Sequence, residues 1–213
     1  ITAGKLIYTP AANANGTAYT TFGFKVSDGT ASSASTYTAT INVSAVNDLP
    51  TASNRSLNVI EDTARVLALT DFGFADIDTG NTLQSVTITT LETKGALKLN
   101  GIDVTLNQVI TAADITAGKL IYTPAANANG TAYTTFGFKV SDGTATSTSA
   151  YTATINVSAV NDLPTGSVTI SGTPVQGQIL TAATNTLADV DGLEAISYKW
   201  LANGVAITGA TAS

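Results

Sequence analysis

The sequence predicts an all-β fold: antiparallel two-sheet sandwiches, strung in tandem into an elongated array. Three observations carry this. Apolar and polar residues alternate with period two over several short stretches, the pattern of strands with one buried face. Thr, Ala, Gly, Asn and Ser are abundant while charged residues make up only 11%, a composition suited to strands and turns rather than helices. Residues 1–51 also return almost letter for letter as residues 115–165, and a repeat with a long period is the mark of stacked units.

The repeat is punctuated by one short segment. Val46-Asn47-Asp48-Leu49-Pro50 recurs as Val160-Asn161-Asp162-Leu163-Pro164, 114 residues later. Each copy follows an alternating strand and precedes new strand material. Pro removes a ladder donor and disfavours helix before it, so the chain leaves the sheet there. The segment reads as a joint. It divides the chain into residues 1–49, the second half of one repeat; 50–163, a complete repeat; and 164–213, the start of a different module. The 213 residues contain no Met and begin inside a repeated motif, so the expectation is a piece of a longer array. The lack of a leader therefore says nothing about export.

In the complete repeat the expected strands come in order. Residues 54–60 and 65–69 are the first two, followed by an acidic loop at 71–81. Residues 84–91 carry Val86 and Ile88 on one face, and residues 96–100 point Leu97 and Leu99 inward. Thr111-Ala112-Ala113-Asp114 reads as a helical turn capped by Thr111. Residues 119–123 form the fifth strand. In 133–140, Phe136, Phe138 and Val140 share one face, opposite Thr135, Gly137 and Lys139. A Ser141-Asp142-Gly143 turn leads to 150–157, with Tyr151, Ala153, Ile155 and Val157 inward. Seven strands in about 114 residues suit a two-sheet sandwich. Residues 1–49 hold only the last three of these strands, too few for a closed core.

After Pro164 the pattern changes. Residues 167–170 and 177–180 read as strands. A strand at 196–201 carries the single Trp200, expected to be buried, and Asn203-Gly204 reads as a hairpin turn.

Composition excludes several functions. There is no Cys and no His, so neither disulfides, thiolate metal sites nor the usual general base is available. The net charge of −6 argues against nucleic acid or an anionic membrane as partner. No apolar run approaches the roughly 18 residues that span a bilayer.

The set Val-Asn-Asp-Leu-Pro, Ile60-Glu61-Asp62-Thr63, Ala75-Asp76-Ile77-Asp78, Ile121-Tyr122-Thr123-Pro124 with Asn127 and Asn129-Gly130, and Phe138-Lys139-Val140-Ser141-Asp142-Gly143 resembles the bacterial cadherin-like extender repeats (VCBS or tandem-95 type) of large RTX adhesins. Gly172-Thr173-Pro174, Asp189-Val190-Asp191-Gly192 and the segment around Trp200 resemble a bacterial Ig-like repeat. The resemblance implies a secreted, surface-tethered rod on the bacterial outer membrane, stiffened by Ca²⁺. Its partners would be neighbouring repeats of the same chain, with the ligand carried by a distal domain.

Sandwich topology then gathers the oxygen-bearing side chains at the joints. Asp76, Asp78, Asn81 and Asp142 fall at the upstream end, near Asn47 and Asp48. Glu61 and Asp62 fall at the downstream end, near Asn161 and Asp162 and facing Asp189 and Asp191. Two carboxylates about 5 Å apart repel by roughly 3 kcal/mol at an effective dielectric near 20, and all-oxygen ligation by a Ca²⁺ ion converts that repulsion into binding. The competing reading of each Asp-x-Asp loop is a plain turn, which Asp favours. Asp71, Asp103 and Asp114 read as turn or cap residues, and the Asn15-Gly16-Thr17 and Asn129-Gly130-Thr131 sequons as turns. An acid–base pair made of Glu61-Asp62 or Asp76/Asp78 is the enzymatic alternative. Tyr8/Tyr122, Tyr19/Tyr133 and Tyr37/Tyr151 are the alternative binding surface, for a glycan or for a second copy of the array.

Overall fold

The computed structural model describes residues 6–211. The first part of the repeated segment, Ile1 to Lys5, and the last two residues lie outside them. Among the described residues the chain is almost wholly strand and loop. β1 (Gly16–Phe24) and β2 (Tyr37–Val43) make a two-stranded sheet. There follow β3 (Arg55–Ile60), β4 (Arg65–Val66), a 3₁₀ turn (Leu69–Phe72), β5 (Ser85–Thr90), β6 (Ala96–Leu99), β7 (Ile102–Asp103), β8 (Val109–Thr111), α1 (Ala112–Thr116), β9 (Leu120–Thr123), β10 (Gly130–Ser141) and β11 (Tyr151–Ser158). Beyond the second joint come β12 (Thr169–Ser171), β13 (Thr181–Ala183), β14 (Leu201–Ala202) and β15 (Val205–Ala206).

Residues 50–159 hold two sheets, a five-stranded one in the order β3-β11-β10-β5-β8 and a four-stranded one in the order β4-β9-β6-β7. The alternation in the sequence decides which faces meet. Phe136, Phe138, Val140, Ala153 and Ile155 are fully buried, against Leu97, Leu120 and Tyr122 of the other sheet. Phe72, delivered by the 3₁₀ turn, meets Phe138 edge-on with ring centres 5.1 Å apart. Thr111 caps α1 through its hydroxyl, which accepts from the Asp114 amide at 3.1 Å. Asp71 is a structural residue of the core edge. It pairs with Arg65 at 2.8 Å and accepts from the Ala68 amide at 2.9 Å.

Several expectations are corrected. β7 and β8 are strands that the pattern missed, because two or three paired residues are too short to show alternation. The second expected strand stops at Val66 and its tail becomes the 3₁₀ turn. The sandwich is not antiparallel throughout, since β3 runs parallel to β11 from Ala153↔Arg55 to Ser158↔Ile60. A unit that the chain enters at one end and leaves at the other has first and last strands running the same way, so they pair in parallel. In the half repeat, β1 and β2 form, but the third expected strand does not: residues 6–9 are irregular. Its equivalent, β9, pairs with β4 and β6, for which residues 6–49 have no counterpart. After the second joint, the strand expected at 196–201 shrinks to Leu201–Ala202, paired with Val205–Ala206 around the Asn203-Gly204 turn. Trp200 is half-buried rather than core.

Candidate metal centre

Both joints gather the predicted oxygens, and they do so with one wiring. At the first, the Asp48 amide donates to Asp78 Oδ2 at 2.6 Å and the Asp78 amide to Asp76 Oδ1 at 2.8 Å. At the second, the Asp162 amide donates to Asp191 Oδ2 at 2.7 Å and the Asp191 amide to Asp189 Oδ1 at 2.9 Å. Asn47 Nδ2 reaches the Asp48 carbonyl at 2.7 Å, and Asn161 Nδ2 the Asp162 carbonyl at 2.6 Å. Just beyond the Pro, Thr51 bridges to Ala75 and Thr165 to Ala188. Two different downstream sequences are therefore docked on their linkers in the same way.

The first joint also holds Asn81 and Asp142. Asn47 Nδ2 donates to Asp142 Oδ2 at 3.0 Å, and Asn81 Nδ2 lies 3.3 Å from Asn47 Oδ1 and 3.4 Å from Asp76 Oδ2. Burial pushes the Asp142 carboxyl up, but the amides of Ala145 and Thr144 and the Asn47 side chain outweigh it and hold the group below the usual carboxylate range. All six upstream candidates thus belong to one connected set.

The second joint is the more acidic. Glu61 is 2% exposed. Its Oε1 accepts from the Val160 amide at 2.5 Å and its Oε2 from Asn129 Nδ2 at 3.2 Å. Asp62, at φ 56°, accepts from the Asn127 amide at 2.9 Å. One oxygen each of Glu61, Asp162 and Asp191 lies within 4.8 Å of the others. The Asp162 carboxyl is raised above its ordinary range, by partial burial first and then by the charges of Asp191, Asp62, Glu61 and Asp189. Its Oδ2 is buried and has no hydrogen-bond partner.

These facts test the fit to Ca²⁺. Oxygens bound to one Ca²⁺ at about 2.4 Å can be at most about 5 Å apart, and the three carboxylates satisfy this. A buried, unpartnered carboxylate oxygen is a costly group that a cation would satisfy. Among the described residues the ion pairs are Arg65–Asp71, Lys98–Asp103 and Lys119–Asp114, so no Lys or Arg neutralises either joint. The donor set is all oxygen, and it fits a hard cation.

Asn127, Asn129 and the Val160 amide hold the Glu61-Asp62 turn, and the sequence reading missed them. The signal available in the sequence is the recurrence of Asn127 and Asn129 as Asn13 and Asn15, whereas the sequence reading gives Asn129-Gly130-Thr131 only as a turn. The tyrosines do not make a stacking surface in the complete repeat. Tyr122 is buried with its hydroxyl on the Lys94 carbonyl at 2.9 Å, Tyr133 lies under Lys94 Nζ at 5.0 Å, and Tyr151 packs on Phe138.

Comparison with curated proteins gives no match, and neither does comparison with solved structures. Residues 50–159, the span that holds both sheets of the sandwich, match the cadherin-like family. The match covers just over half of the chain, and the chain belongs to the cadherin-like family.

Proposed function

We propose that the chain is a calcium-stiffened extender segment of a bacterial cell-surface adhesin, of the VCBS or tandem-95 type found in RTX adhesins. Cadherin-like domains typically bind Ca²⁺, have adhesion-type roles outside the cell and are in general not enzymes. The observation that carries the reading is the convergence of Glu61, Asp162 and Asp191 within 4.8 Å. One comes from the sandwich, one from the linker and one from the following segment, so an ion held by all three fixes their relative placement. Asn47, Asp48, Asp76, Asp78, Asn81 and Asp142 would hold the upstream ion. Asn161, Asp62 and Asp189 would complete the downstream set. In this reading the joints bound three units at 1–49, 50–163 and 164–213, the last an Ig-like module. The bound cation supplies charge neutralisation and stiffness, not chemistry.

The alternative, a repeat that itself contacts a glycan or a second copy, lacks an exposed aromatic platform in the complete repeat, where Tyr122 is core. The test of the calcium reading is a calorimetric Ca²⁺ titration of the EDTA-stripped chain. Binding at about 10⁻⁴ to 10⁻³ M is expected, with Asp162→Asn and Asp48→Asn each removing binding at its own joint. A chain that takes up no Ca²⁺ at millimolar concentration would contradict the proposal.

A further inference from the structure

The chain enters the sandwich just before β3 and leaves it just after β11, and these two strands lie side by side. They pair in parallel over six residues, from Ala153↔Arg55 to Ser158↔Ile60. The start of β3 therefore sits at the upstream end of the sandwich and the end of β11 at the downstream end. Tension along the chain pulls β3 by its first residue and β11 by its last, in opposite directions along their shared edge. That is shear. The evenly spaced bonds of a parallel ladder then resist together, and none opens ahead of its neighbours. A pair pulled apart from one end would instead open rung by rung. Sliding β3 would also draw the buried Leu57 and Val59 across the core.

Side chains brace this pair along its whole length. Asn54 Oδ1 accepts from the Thr152 amide at 2.9 Å, one rung before the first backbone pair. At mid-ladder Asn156 Nδ2 donates to Ser56 Oγ at 2.8 Å and lies 3.2 Å from Asn58 Oδ1. At the downstream end the Glu61 amide donates to the Ser158 carbonyl at 3.0 Å, and Glu61 Oε1 accepts from the Val160 amide at 2.5 Å. Among the described residues the other ladders of the sandwich carry one side-chain link at most. Lys98 reaches Asp103 between β6 and β7, and Asn156 Oδ1 takes the Ala132 amide between β10 and β11. The bracing is concentrated on the two strands that tension would load.

We propose that the β3–β11 pair is a mechanical clamp that bears tension between the two joints in shear, with Asn54, Ser56 and Asn156 as its side-chain rungs and Glu61 as its latch. The inference rests on the extender reading for the source of the tension. Glu61 joins clamp to joint. The carboxylate that lies within 4.8 Å of Asp162 and Asp191 also holds the Val160 amide, the first linker contact beyond β11. Tension passing from β11 into the linker therefore crosses Glu61, and the sandwich gives way only when the whole ladder does.

The chain contains no Cys, so optical-tweezer handles can be attached at chosen points of the full chain through engineered thiols. Leu49→Cys with Leu163→Cys, both exposed linker positions, loads the clamp in shear. Leu49→Cys with Thr148→Cys, an exposed position just before β11, peels the same two strands from their upstream end. EDTA is present throughout, so the Ca²⁺ titration decides the calcium reading and the pulling decides this one. At equal force the shear geometry is expected to unfold at least about tenfold more slowly than the peeling geometry, since several bonds must break at once. Asn54→Ala with Ser56→Ala, both exposed, removes two rungs and should speed unfolding in shear about tenfold. Tyr122→Phe removes the hydroxyl bond to the Lys94 carbonyl, away from the clamp. It should lower stability in a denaturant melt yet leave the shear unfolding rate within about twofold. Equal rates in the two geometries, no acceleration by the double variant, or the same acceleration by Tyr122→Phe would each overturn the proposal.

Discussion

Asp162 is the residue on which the downstream joint turns. Its folded pKa is raised above the ordinary 3.8. A raised acid is favourable to folding only while protonated. Its stabilising contribution is full below the unfolded value and is lost as pH rises through the folded one. In EDTA, wild-type should therefore lose stability relative to Asp162→Asn as pH climbs from about 4 to 7. Paired thermal melts across that range measure the difference. With millimolar Ca²⁺ the order at pH 7 should reverse, since the ion favours the ionised form. A wild-type chain that gains on Asp162→Asn with rising pH in EDTA would contradict the assignment. At this scale the sequence was informative wherever a side chain carried an oxygen and recurred with the linker. It was silent about the Val160 and Asn127 amides, because backbone donors leave no mark in composition, and Asn129 was hidden inside a turn-like run.

At the scale of elements, β1 and β10 share the identical run from Gly16 to Val26 and from Gly130 to Val140, yet among the described residues only β10 is covered by a second sheet. This makes an internal control. Phe136→Ala should cost about 3–5 kcal/mol in a denaturant melt, the cost of emptying a core site. Phe22→Ala, at 41% exposure, should cost far less. Comparable losses would mean that the half repeat has a closed core. Thr135→Ala, on the outer face, should also be mild. Gly137 pairs with Thr90 of β5 beside a register shift, and a Cβ there would lie 2.4 Å from Thr90 Oγ1 and 2.6 Å from Thr89 Oγ1. Gly137→Ala should therefore destabilise the sandwich by about 1–3 kcal/mol, measured in the same melts. Long alternating strands such as β10 and β11 were legible because each residue votes for the same face. β7 and β8 were not, and the strand expected around Trp200 failed because local alternation does not supply a partner. The parallel β3–β11 pair follows from chain path, a property of the whole unit and not of either strand.

The whole molecule poses the mechanical question. At the downstream joint Glu61, Asp62, Asp162, Asp189 and Asp191 bring five formal negative charges together, and no Lys or Arg among the described residues is bridged to them. Without a cation that charge should push the following segment away from the sandwich. With one, ligands from sandwich, linker and following segment are tied together. At about 10 mM Ca²⁺ and a Kd of about 10⁻⁴ to 10⁻³ M, each site contributes about 1.4–2.7 kcal/mol. That is enough to lock a joint, and small beside the sandwich core, so EDTA should loosen the joints without melting residues 50–159. The most direct measurement is small-angle X-ray scattering of a chain in which residues 50–163 are flanked by complete neighbouring domains, recorded in millimolar Ca²⁺ and in EDTA. A rigid, extended profile in Ca²⁺ that gives way to a bent, flexible one in EDTA, with the change abolished by Asp162→Asn together with Asp48→Asn, is the predicted result. Superimposable curves in the two buffers would contradict a calcium-stiffened joint.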